Sequence, residues 1–153
     1  MDADAISDVT LLSPRHLAFV LPLILLLLGC GLAFVTGVSG PAVTVFVLSS
    51  AVQVFGITVG YHRLLAHRSF KTSREFQFVL ALFGVLAGQN GPLWWVGHHR
   101  YHHQYSDGEH DVHSPSHGLF WSHMGWLFSP HCIRVRRRLV RDLAHFSELV
   151  DGR

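Results

Sequence analysis

From His16 to His62 the chain contains no Asp, Glu, Lys or Arg, and a second charge-free run extends from Phe76 to His99. Two such runs within 153 residues point to a lipid bilayer as the solvent. Charged residues make up 14% of the chain, against roughly a quarter in ordinary soluble domains. The first run divides in two. Leu17 to Thr36 is long enough to cross the ~30 Å hydrocarbon core at ~1.5 Å per residue. Pro22 near its start bends such a helix without abolishing it. The Gly37-Val38-Ser39-Gly40-Pro41 stretch reads as a turn. Ala42 to Gly60 is the second span, so 17–36 and 42–60 form a hairpin with an uncharged outer loop. Arg15 flanks the entry, and Arg63, Arg68, Lys71 and Arg74 flank the exit, which places both ends on the cytoplasmic side. Residues 1–14 hold three Asp and no Lys or Arg, unlike the basic start of a signal peptide.

The remaining apolar segments are shorter. Phe76 to Gly88 is too short to span, and the Gln89-Asn90-Gly91-Pro92 sequence breaks it. A helix lying along the cytoplasmic interface is expected there. The alternative is a third span over 76–95, with Leu93, Trp94 and Trp95 at the lipid–water boundary. Gly118 to Phe128 reads as another interfacial or core helix. Beyond Pro130 the chain turns basic, with Arg134, Arg136, Arg137, Arg138 and Arg141. Leu139, Leu143, Phe146 and Val150 recur at helical spacing, which predicts a basic amphipathic helix at a bilayer surface. The net charge of +2 gives no strong attraction to polyanions, so no nucleic-acid partner is expected. Arg outnumbers Lys eleven to one, which suggests a GC-rich bacterial genome and hence the bacterial cytoplasmic membrane, or the endoplasmic reticulum membrane in a eukaryote. Cys30 and Cys132 lie in unlike settings and predict no disulfide.

Thirteen residues are histidine, and they cluster. The ten residues from His98 to Asp107 begin with four imidazoles in six positions. With His99 as the zero of a helical wheel, His102 lies at about −60° and His103 at about +40°. The three share one face, and neutral imidazole is the commonest metal ligand. Upstream, His62 and His67 are five residues apart, about 140° on an ideal α-helix. One straight α-helix cannot aim both at one ion. Either they serve different metals or the helix unwinds near His67.

A spanning hairpin, then H-R-L-x-x-H-R, then ~30 residues, then W-x-x-x-H-R-x-H-H resembles the membrane fatty acid desaturases, and most nearly the acyl-CoA Δ9 (stearoyl-CoA) type. The likeness runs from about Tyr61 to Phe128. It takes in Gln89-Asn90, Trp95, His99 through Ser106, Asp111 with His113, and Gly118 through Trp126. It implies an all-α partial desaturase fold with a histidine-ligated centre of two non-haem irons and O2 as co-substrate. The positions matching iron ligands are His62, His67, His99, His102 and His103. Gln89, Asn90 and Trp95 match residues at the bend of an acyl tunnel. His113 and His123 are candidates for orienting ligands through hydrogen bonds. His98 stands where the family has an acidic residue, and His16, His131 and His145 fit no pattern. The implied partners are a fatty acyl substrate carried on CoA, acyl carrier protein or lipid, a cytochrome b5 or ferredoxin-type electron donor, and membrane lipid.

Gly97 and His98 replace the basic and acidic residues that meet the carrier head group in the acyl-CoA enzymes, so the carrier stays open. The family also has a further histidine box beyond a second pair of spans. Residues 1–153 are therefore expected to form the N-terminal part of a desaturase domain, with 61–153 cytoplasmic or interfacial, and to have little turnover alone. A related fatty acyl hydroxylase, or a non-catalytic membrane metal-binding fragment, are the alternatives.

Overall fold

The computed structural model describes residues 13–106 and 108–150. The polar N-terminal segment up to residue 12, Asp107 and the His131 side chain lie outside this description. The described residues form helices, turns and short 3₁₀ segments, with no strand among them. They divide into two compact units, one of 13–39 with 108–134 and one of 40–106 with 135–150.

The first unit begins with helix α1, Pro14–Thr36. Ser13 caps it by accepting the His16 N–H, and Pro14 occupies the first helical turn, where its missing N–H costs nothing. The helix ends at Gly37, whose φ of 75° favours glycine. His16 is buried, with Nε2 2.8 Å from the Phe128 carbonyl oxygen. The expected helix over 118–128 is instead a single turn, α5, Leu119–His123, followed by a 3₁₀ turn over Gly125–Phe128. Its Leu119 and Phe120 are exposed. Neither cysteine forms a disulfide; Cys30 is exposed, and Cys132 is buried with its thiol donating to the Leu127 carbonyl at 3.0 Å.

The second unit is built on one long helix. It starts as α2, Gly40–Phe55, and continues without a break as a π-helix over Gly56–Ala66. The expected exit at Gly60 is therefore passed, and His62 lies within helical structure. α1 and the Gly40–Ala66 helix are the two described helices long and apolar enough to cross a membrane. Only 6% of each apolar window is buried, so these are not the covered helices of a soluble core.

Helix α3, Arg74–Leu86, is capped by Ser73, whose Oγ accepts the Phe76 N–H. Its 13 residues reach ~20 Å at ~1.5 Å each, short of a bilayer core. It ends at Ala87, and helix α4, Pro92–Tyr105, starts afresh after Gly91, so 76–95 is not one continuous helix. Glycine brings α3 onto the π-helix. A Cβ on Gly56 would lie 2.3 Å from the Phe83 carbonyl carbon, one on Gly60 would lie 2.7 Å from the Leu80 oxygen, and one on Gly84 would lie 2.4 Å from the Tyr61 ring. Small residues allow the same close approach between helices in membranes generally. Tyr61, Leu64, Leu65, Leu80, Ala81, Val96, Val140, Leu143 and Leu149 make the core of this unit.

The C-terminal segment corrects the sequence expectation. It is not a continuous amphipathic helix. A 3₁₀ turn covers Arg137–Val140, turns follow, and α6 is Ser147–Val150. The Leu143 N–H bonds the Val140 carbonyl three residues back, not that of Leu139. The Leu139 carbonyl is taken by Arg100 Nη1 at 2.6 Å. Of the four spaced positions Leu143 is buried and Leu139, Phe146 and Val150 are half-buried, while the buried Val140 and Leu149 fall off the spacing because the backbone runs in i→i+3 turns. Arg74 ties α3 to this segment through two hydrogen bonds to the Glu148 carboxylate.

Candidate metal centre

The first pair of histidines is brought together by the π-helix. Its hydrogen bonds run from residue i+5 to residue i, and the His67 N–H donates to the His62 carbonyl at 2.9 Å. Residues five apart thus sit one turn apart, and the two rings lie 4.5 Å centre to centre. The 140° separation expected of an α-helix disappears because the helix is wider. Unwinding follows at once. Arg68 has φ 53°, and the Ser69 N–H and Oγ–H both donate to the Arg63 carbonyl.

The second pair comes from α4. His99 and His103 are four residues apart on one face, with rings 4.5 Å apart. Across the two elements, His67 Nε2 and His99 Nε2 are 3.1 Å apart. Rings of His62 and His99, and of His67 and His103, are 4.7 and 4.8 Å apart. His62, His67, His99 and His103 thus present four ring nitrogens within 4.8 Å of one another. Two ligands at right angles on a metal, with bonds of about 2.1 Å each, lie about 3 Å apart, so the His67–His99 spacing already suits a shared ion. Four neutral imidazoles are a donor set for a transition metal rather than for Ca²⁺ or Mg²⁺.

The electrostatics favour the ligating form. Burial pushes the His99 pKa down to about 3, and His103, His62, His67 and His102 add to that by repelling a proton. His67 is lowered too, by desolvation and then by His62, His103 and Arg100. His99 and His67 therefore keep lone pairs available where isolated histidines would protonate. His62 and His99 are half-buried, while His67 and His103 are open to solvent.

His102 is not one of the four. Its ring lies 5.6 Å from that of His103. The ~100° arc that appeared to hold all three α4 histidines is wide, and the His62–His67 turn meets it on the His103 flank. His98 is buried, with Nδ1 2.9 Å from the Trp94 carbonyl oxygen and its ring packed on Trp94 at 4.3 Å. Gly97 faces the chain as well, since a Cβ there would lie 3.3 Å from Arg136 Cβ. His113 and His123 belong to the other unit. His113 packs on Trp126 at 5.1 Å, and its N–H meets Asp111 Oδ1 at 3.3 Å, while His123 ends α5.

Gln89 and Trp95 meet directly, the indole Nε1–H donating to Gln89 Oε1 at 2.9 Å. Trp95 then stacks on His99, 4.7 Å away and 21° from parallel. Asn90 holds a left-handed φ of 65°, and its carbonyl accepts the Tyr61 hydroxyl at 3.2 Å. The turn over Gln89–Asn90 is thereby tied to the start of the first histidine box and to the ring beside His99. Tyr101 packs on Tyr105 and carries the Arg136 guanidinium over its ring at 3.5 Å.

Sequence reasoning passed over Arg100 and Asp142. The Arg100 side chain donates from Nε to the Ala66 carbonyl, from Nη1 to Leu139 O and Asp142 Oδ1, and from Nη2 to Leu65 O and Asp142 Oδ2. Arg68 also pairs with Asp142. Burial alone would raise the Asp142 pKa, but hydrogen bonds from Arg100 and Arg68 more than offset it and leave it lowered. The one available signal was an arginine inside a histidine box, which a generic ligand-flanking cation explains equally well.

No protein-family model and no solved structure matches the chain. Curated proteins do. The sn-1 stearoyl-lipid 9-desaturase of Anabaena variabilis is 53% identical over 91 residues, 58% of this chain and 33% of that protein. Delta-9 acyl-lipid desaturase 1 of Arabidopsis thaliana is 49% identical over 88 residues, 58% of this chain and 29% of that protein. The acyl-CoA Delta(11) desaturase of Choristoneura rosaceana is 45% identical over 85 residues, 56% of this chain and 25% of that protein. The chain is thus a relative by sequence of the fatty acid desaturases, and its match spans between a quarter and a third of the length of these proteins.

Proposed function

We propose that this chain carries part of the active centre of a fatty acid desaturase, an oxidoreductase that introduces a double bond into a saturated acyl chain, of the Δ9 type. What supports the reading is the meeting of His62 and His67 with His99 and His103, from boxes more than thirty residues apart, in a relative of named desaturases. His62, His67, His99, His102 and His103 would hold non-haem iron, as part of a centre of two ions. Iron bound there supplies the activation of O2 that removing hydrogen from unactivated carbon requires. The protein's own task is binding and placement. The depressed pKa of His99 keeps that imidazole unprotonated at neutral pH. Trp95, fixed by Gln89, offers a flat apolar wall against which an acyl chain can lie beside His99. Asn90 sets the turn that presents Gln89.

The acyl carrier is a lipid or CoA. Both occur in the names of the relatives, and the inward-facing Gly97 and His98 leave no charged pair at the positions that meet CoA in the acyl-CoA enzymes. Electrons come from a cytochrome b5 or ferredoxin-type donor. Each of the two apolar helices crosses the membrane, with the histidines on the cytoplasmic side and α3 along the interface.

Two measurements test this. Residues 1–153 purified in micelles should carry fewer than two irons per chain and form no double bonds in fatty acyl substrates assayed by gas chromatography. Fused to the remaining part of a relative desaturase, the same residues should desaturate, and His103→Ala should abolish that activity. Unchanged activity in His103→Ala would remove the ligand assignment.

A further inference from the structure

We infer that Arg100, held by Asp142, is a positioning residue that sets the distance between the two histidine pairs; the inference rests on the metal-centre reading above for its functional meaning. The guanidinium has five N–H donors in a rigid planar fork, and five hydrogen bonds of 2.6–3.1 Å engage it. Two accept at Leu65 and Ala66, the last residues of the π-helix before His67. These carbonyls need an outside donor, because the chain unwinds at Arg68 and provides no further helical turn. Arg100 follows His99 directly, so the side chain that closes the first box is anchored one residue from a histidine of the second. It therefore fixes the approach that leaves His67 Nε2 and His99 Nε2 3.1 Å apart.

Asp142 fixes the fork in turn. Both of its oxygens accept from Arg100, at 2.7 and 3.1 Å, and Leu139 O takes the remaining Nη1 bond at 2.6 Å. The diversion of Leu139 O from helical pairing ties the bent C-terminal segment to the centre. Groups that hydrogen-bond metal ligands directly typically contribute 10–100-fold to metal affinity, and an effect of that order is expected of a residue that sets the spacing between ligand pairs. Lysine keeps the charge at position 100 but offers three donors from a single point and cannot bridge carbonyls on two elements.

The test uses the full 153-residue chain in detergent micelles, as wild type, Arg100→Lys, Arg100→Ala and Asp142→Asn, with helicity checked by circular dichroism. Co(II) binding is read from its d–d absorption. Hydrogen exchange at the His67 and Ser69 amides is read without metal. The expected result is a 10–100-fold loss of Co(II) affinity with an altered d–d band in both Arg100 variants, a smaller loss in Asp142→Asn, and faster exchange at His67 in all three. Should the Arg100 variants lose helicity, Asp142→Asn alone decides. Wild-type affinity, band shape and exchange in a folded Arg100→Lys or Asp142→Asn would overturn the inference. Absence of Co(II) binding by the wild type, with His67 exchange still accelerated in the variants, would overturn the metal reading and leave the positioning role standing.

Discussion

At the scale of single residues, the centre depends on keeping imidazoles neutral. His99 has a folded pKa of about 3, below the ordinary value of about 6.5 for a histidine. Between those values the unfolded chain binds a proton that the folded chain refuses. The stability linked to His99 is therefore fully present above about pH 6.5 and is lost as pH falls towards 3. Chelator-treated protein, unfolded by urea in micelles from pH 7.5 to 4.5, should lose stability on acidification more steeply as wild type than as His99→Ala. Equal slopes would mean that His99 is not held neutral by its surroundings. The α4 wheel put His99, His102 and His103 on one face, and of these the fold brings His99 and His103 to His62 and His67; Gln89 and Trp95 are hydrogen-bonded to each other. Arg100 and Asp142 were not legible, because a bridging arginine is defined by carbonyls that only the folded backbone brings near it.

At the scale of elements, the π-helix is the part that sequence could not give. Hydrophobic periodicity does not separate a π-helix from the end of an apolar α-helix, so His62 and His67 looked misaligned when they are one turn apart. Its glycines show how it is held. A Cβ on Gly56 would fall 2.3 Å from the backbone of α3, where no flexible side chain can give way. Gly56→Ala should therefore destabilise the second unit by about 1–3 kcal/mol, the usual cost of overpacking, measured by urea unfolding in micelles. A neutral substitution would mean that α3 does not lie this close. The limits of the other elements were legible where a chemical cue was present. Gly91-Pro92 separates α3 from α4, whereas the capping Ser13 and Ser73 were passed over, so the helices start at Pro14 and Arg74, before the expected Leu17 and Phe76. The C-terminal segment was misread because spacing at i and i+4 reports burial, and burial is equally reached by successive 3₁₀ turns when Arg100 takes a helical acceptor.

At the scale of the whole molecule, membrane character was the most legible property, since absence of charge over a long run needs no knowledge of packing. The two apolar helices leave their side chains outward, as lipid-facing surfaces require. The second of them carries His62 within its last turns and His67 directly after its end, so half of the histidine cluster is continuous with the long helix. The central claim is that His62, His67, His99 and His103, from two distant boxes, act together as ligands in the metal centre. It is tested most directly by anaerobic Co(II) titration of residues 1–153 in micelles, on the wild type, on alanine variants of His62, His67, His99 and His103, and on His145→Ala as a control. The account predicts saturable binding with an imidazole-ligand d–d spectrum, weakened at least about tenfold by each of the four substitutions and unchanged in His145→Ala. Binding that ignores all four, or no saturable binding at all, would contradict it.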